Sequence, residues 1–170
     1  AAHLQDDLTG ALIGLARALD GQKASSKLNK LVLEALFTTV TNVNFDDKSV
    51  SEYINKVHIA ANNVLQYHQK FEDCDLTKLW DCSNEDIRSL KALILFGMRG
   101  MAAYAYHALM LGYTDDAVSA FFYKGLTALG EDGDMEHLLP LVMELGQINL
   151  KCMELLDKAN TDTYGTPVPT

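Results

Sequence analysis

The chain has 170 residues, 48% of them apolar, with only 3 prolines and a formal net charge of −9. That length fits one domain, or two small ones sharing a core. The acidic balance argues against nucleic acid, which needs a basic face, and no basic amphipathic stretch suits a membrane surface.

The least polar run is broken by Lys91 and Arg99, so nothing in it spans a bilayer. The chain opens AAHLQDD, without a methionine and without a basic-then-apolar leader. Its three cysteines, Cys74, Cys82 and Cys152, are odd in number and lack paired spacing. They read as reduced thiols in a cytoplasmic setting.

The first helix is predicted over His3–Leu19, where Leu4, Leu8, Leu12, Leu15 and Leu19 form a stripe at steps of three and four. The stripe begins almost at the first residue with no cap before it, so the start reads as cut from something longer. Gly21 ends it. Ser25 or Ser26 caps a second helix, Lys27–Val40, which fails where Thr38, Thr39, Val40 and Thr41 crowd β-branched side chains together. The stretch TNVNFD, 41–46, favours a turn, with Asp46 as the next N-cap and Phe45 and Val50 as a hydrophobic staple. The third helix, Asp47–Gln69, carries an inner stripe of Val50, Ile54, Val57, Ala61, Val64 and Leu65. His58 and His68 lie on it ten residues apart, too far round to chelate one ion from this helix, and read as ordinary core or exposed histidines.

Residues 71–83 form an irregular acidic linker holding Cys74, Cys82 and the single tryptophan, Trp80. A zinc site would need a second cysteine pair, and two unrelated thiols fit better. The longest helical signal follows, Glu85 to Gly112. Ser83 or Asn84 caps it, and Leu90, Leu93, Ile94, Gly97, Met101, Tyr104 and Ala108 mark one face. It spans about 40 Å at 1.5 Å per residue. Gly97 and Gly100 sit within one turn, each disfavouring a helix by roughly 1 kcal/mol against alanine. Burial against another helix is the expected reason. Gly112 closes the element. Thr114 caps the next helix, about 115–129, an antiparallel neighbour striped by Val118, Phe121, Phe122, Gly125, Leu126 and Leu129. Asp134 caps a sixth helix. Either that helix bends at Pro140 or it starts near Leu139 with the proline in its first turn. Its seam reads Val142, Leu145, Asn149, Cys152 and Leu156, with Asn149 expected to be buried and hydrogen-bonded, and it ends near Lys158. Residues 159–170 read as an extended tail, with Pro167 and Pro169 in it.

The expected fold is therefore all-α: six principal helices in two three-helix bundles, 1–70 and 84–158, joined by the linker 71–83. No familiar catalytic constellation is visible. A di-iron bundle needs two Glu-x-x-His pairs, and the nearest approach is one Asp134-x-x-His137. There is no His-x-x-x-His, no phosphate-binding glycine loop, no G-x-S-x-G and no Cys-x-x-Cys. No catalytic, cofactor-binding or metal residue is assigned.

Three stretches, taken together, resemble the hybrid cluster protein (prismane) family, the hydroxylamine reductases. They are LVLEALFTTVTNVNFD (31–46), NEDIRSLKALILFGMRGMAAYAYHALMLGY (84–113) and GQINLKCMELLDKANTDTYGTPVPT (146–170). HLQDDLTGALIGLA (3–16) is similar to the family's first long helix. Nickel carbon monoxide dehydrogenases are a more distant match. The resemblance implies an iron–sulfur oxidoreductase whose N-terminal helical domain of two three-helix bundles precedes two α/β domains. It implies a 4Fe–4S cluster held by cysteines just before the first helix, and a hybrid iron–sulfur–oxo cluster held by the later domains. None of those ligands falls on this chain, and 66–83 is shorter than the family commonly shows. The implied role is a shell around clusters carried elsewhere, with the missing α/β domains as partners. The alternative is a stand-alone helical scaffold or interaction module.

Overall fold

A computed structural model of the chain describes residues 2–40, 47–64, 73–76 and 84–165. Six helices account for nearly all of these residues, and no strand occurs among them. They are α1 (Ala2–Leu19), α2 (Ser26–Val40), α3 (Asp47–Val64), α4 (Glu85–Met110), α5 (Asp116–Leu129) and α6 (Met135–Tyr164). Where it is described, each begins within a residue of its predicted start, apart from the choice at Pro140.

Local chemistry fixes the ends. Ser25 Oγ accepts the Leu28 amide at the start of α2. Asn84 accepts from Asp86 and Ile87 at the start of α4. The cap of α5 is Asp115 rather than Thr114, because its carboxylate, on an extended backbone, reaches both the Ala117 and Val118 amides. Asp134 caps α6 by accepting from the His137 amide. At the end of α4, the Tyr113 amide donates to the Ala108 carbonyl and the Gly112 amide to Leu109, with Gly112 at φ 87°. These are the paired bonds of a Schellman turn, and its left-handed position suits glycine. In α2, Thr38 and Thr39 turn their hydroxyls back onto the Glu34 and Leu36 carbonyls. That satisfies two buried hydroxyls and lets the helix run to Val40.

α6 departs most from expectation. It starts at Met135 and passes through Pro140. It also continues beyond Lys158 to Tyr164, where Gly165 takes a left-handed φ of 82° and its amide donates to Thr161. The first half of the expected tail is therefore helix, held because Ala159 and Asn160 are buried. Residues 166–170, with both tail prolines, lie outside the described residues.

α1 packs most closely on α3, and α4 on α6. α2 closes the first group of three helices and α5 the second. The groups are not separate bodies with separate interiors: α2 lies against α4 and α1 against α5. One buried cluster runs from Leu8, Leu12 and Leu15 through Leu36 and Val57 to Met98, Phe121, Leu126 and Leu138. Leu76, from the segment expected to be a linker, is part of it. Phe37 stacks on Tyr106 with ring centroids 4.1 Å apart, joining α2 to α4.

The α4 stripe is rotated from its expected place. Lys91, Ile94, Leu95, Met98, Met101, Ala102, Ala105 and Ala108 are buried, while Leu93 is 54% exposed. α4 touches α2, α5 and α6 at once, so its inner face is wide, and a run apolar all round hides its phase. Gly97 does face a neighbour, since a Cβ there would strike Leu145 Cδ2. Gly100 does not: it is exposed, and a Cβ there would meet nothing within 4 Å. The glycine packed deep in the second group is Gly125, where a Cβ would lie 2.6 Å from Met98 Sδ. Asn149 is only half-buried, because the α6 seam passes through Ile148, and the buried amide is Asn160.

Candidate functional site

The residues most able to carry chemistry are dispersed. Cys152 is fully buried on the α6 seam, where burial, with Asp115 nearby, pushes its thiol up to about 12. Held neutral and fully buried, it packs as a small apolar side chain. Asp134 and His137, the one acidic–histidine pair at i, i+3, form a helix cap through the His137 backbone. Cys82 and His68 lie outside the described residues. Among the described residues, no three His, Cys, Asp or Glu side chains converge as a metal site would require. The donor set here does not fit an iron–sulfur cluster, which wants ionised thiolates, usually four.

What 73–76 does is structural. Its Cys74 amide donates to the Gly10 carbonyl at 3.1 Å, and the Cys74 carbonyl lies directly over the Gly10 Cα, where any Cβ would strike it. Asp73 receives His58 Nε2 of α3 at 2.8 Å, and Leu76 enters the core. This segment therefore clamps α1 to α3. Composition reads it as acidic and irregular. The signal that could have shown otherwise is Gly10, a glycine inside the otherwise regular first stripe.

Beside this clamp lies the least satisfied polar group. Thr9 is fully buried; its hydroxyl donates to the Gln5 carbonyl at 3.0 Å and accepts from Arg99 Nη2 at 3.2 Å. Arg99 Nε is buried without a partner among the described residues. Burial lowers the Arg99 pKa, and the carboxylate of Asp6 opposes that shift. A second embedded cation, Lys91, extends its Nζ to the Glu131 carbonyl at 2.7 Å and ties α4 to the turn before α6. Sequence reading took both cations only as interruptions of an apolar run.

One open groove of about 580 Å³ lies between α1, α5 and the start of α6, bordered by Leu19, Tyr123, Lys124, Glu131 and His137. Three of its polar side chains are engaged within the fold. Tyr123 donates to Asn29 Oδ1 at 2.9 Å, and Lys124 pairs with Glu144 at 2.8 Å. No helix among the described residues is long and apolar enough to cross a membrane.

The model of the Prismane/CO dehydrogenase family matches residues 1–170. A hydroxylamine reductase of Chlorobaculum tepidum is 42% identical over 98% of this chain and 34% of its own length. One of Thermodesulfovibrio yellowstonii is 39% identical over 99% of this chain and 37% of its own. One of Methanosarcina mazei is 40% identical over 84% of this chain and 30% of its own. The chain thus spans about a third of the length of these relatives. Match and fold together show that the chain belongs to the Prismane/CO dehydrogenase family.

Proposed function

We propose that this chain is the helical part of a cytoplasmic iron–sulfur oxidoreductase that reduces hydroxylamine or a related small nitrogen oxide. The observation that carries the reading is identity of 39–42%, along 98–99% of the chain, to two relatives named hydroxylamine reductase. The role of the chain in that enzyme is to shape and shield. Its buried thiol is held neutral, its Asp–His pair is a cap, and its embedded cations Lys91 and Arg99 reach an internal carbonyl and an internal hydroxyl. The clusters, a 4Fe–4S and a hybrid iron–sulfur–oxo centre, belong in this reading to the remainder of a longer polypeptide with α/β domains. No reaction step runs through the residues present here.

The test is to express the whole polypeptide that the gene encodes, purify it without oxygen and follow hydroxylamine-dependent oxidation of a reduced dye. Ammonia formed in step with dye oxidised is the expected result. A purified, iron-loaded polypeptide that leaves hydroxylamine untouched would overturn the reading.

A further inference from the structure

The outer side of the α4–α6 pair exposes several large apolar side chains, with the Arg99 guanidinium 5.8 Å from the Phe96 ring centroid. α4 and α6 each connect to α5 by a short turn, so they run parallel to each other, touching where Leu145 fills the space over Gly97. At about 100° per residue, Leu93 and Phe96 fall on the side of α4 turned away from Met98, which packs on α5. The same arithmetic puts Leu139, Met143, Leu150 and Met153 on the matching side of α6, away from the buried Leu141 and Ile148. Phe96 is 59% exposed, Met143 74% and Leu150 60%. Positions 139, 143, 146, 150 and 153 of α6 are uncharged, with exposed Glu136, Glu154 and Asp157 at the ends and rim of the stripe.

An independent feature lies at position 100, one turn beyond Phe96, and within the α6 stripe at position 146. Gly100 on α4 and Gly146 on α6 are exposed helix-interior glycines, and a Cβ at either would meet nothing within 4 Å. Neither has a positive φ nor ends a helix. Each therefore weakens its helix relative to alanine with no return inside the fold. Gly100 next to exposed Phe96, and Gly146 between exposed Met143 and Leu150, leave space that a closely approaching backbone would fill.

We propose that this face is the docking surface for the rest of the longer polypeptide, an uncharged apolar element of which lies across Gly100 and Gly146. The proposal rests on reading the chain as part of a larger oxidoreductase. The two relatives above have 63% and 66% of their length outside the match (100 less 37 and 34), ample chain to supply the element. A second copy fits less well, since two chains each carrying −9 repel. An anionic membrane is disfavoured on the same ground.

Met143 is a built-in probe. Treat the full polypeptide and the 170-residue chain with hydrogen peroxide under native conditions, and follow sulfoxide at Met143 by mass spectrometry. Oxidation roughly tenfold or more slower in the full polypeptide is expected, since buried thioethers are shielded. Equal rates would overturn the proposal, as would a dimer of the 170-residue chain that protects Met143 as concentration rises. A second variant reads the same face. Met143→Lys should leave the melting midpoint of the 170-residue chain unchanged and lower that of the full polypeptide; no change in either overturns the proposal. Protection is read whether or not hydroxylamine is reduced, so failure of the activity and failure of the docking face are separate results.

Discussion

Glycines at two positions of the same residue type have opposite meanings in this chain. Gly10 is buried with the Cys74 carbonyl over its Cα, a backbone neighbour that cannot swing aside. Gly10→Ala should destabilise the chain by about 1–3 kcal/mol, typical of overpacking. Gly100 faces open space, so Gly100→Ala should raise the stability of the 170-residue chain by about 0.5–1 kcal/mol through helix propensity alone. Urea midpoints decide both, and a harmless Gly10→Ala would show that 73–76 is not held on α1. Cys152 makes a third residue-scale test. Its folded thiol is raised to about 12 from an ordinary value of 9.0. As pH climbs past 9.0, the unfolded chain loses that proton while the folded chain keeps it. The thiol's contribution to stability is therefore whole below 9.0 and declines above it. Cys152→Ala should flatten the stability profile just above that pH, and Cys152 should resist iodoacetamide in the native chain yet react in urea. Rapid native alkylation at Cys152 would contradict its burial.

Helix termini are where the elements were most legible, because a cap is a short-range rule. Asp134 and Gly112 lie where their chemistry demands, and at Asn84 the structure chose between two neighbours. Phase within an element was less legible. α5 shows its predicted stripe intact, Val118 to Leu129, since polar residues flank it. α4 is apolar on several sides, so Leu93 was misplaced outward-to-inward, and Gly100 with it. On α6 the seam slips by one residue at Asn149, and the helix outruns its expected end because burial of Ala159 and Asn160 is a tertiary effect. Pro140 gives the element-scale prediction. It lies inside α6 on an exposed surface, where proline lacks the amide that would bond back to Glu136. Pro140→Ala should stabilise the chain by up to about 3 kcal/mol. A lower thermal midpoint would mean the proline suits its local backbone better than a regular turn would.

Across the whole molecule, the six helices share one interior, through contacts of α2 with α4 and α1 with α5. Such contacts join distant stretches and leave no mark in local periodicity, so the sequence left one domain and two small ones sharing a core as alternatives. The clamp of 73–76 and the embedded cations Lys91 and Arg99 were not legible in local spacing. The spacing of histidines and cysteines gave no ligand set; among the described residues, His137 joins a cap through its backbone, His58 and Cys74 join the clamp, and Cys152 lies in the core. Family resemblance, not residue chemistry, supplied the proposed function. We propose that this chain encloses redox chemistry held by the rest of a longer polypeptide. The most direct test is to incubate the purified 170-residue chain anaerobically with iron and sulfide, remove excess reagent, then measure iron content and the visible spectrum. The account predicts a colourless chain without stoichiometric iron; a stable charge-transfer band with about four irons per chain would contradict it.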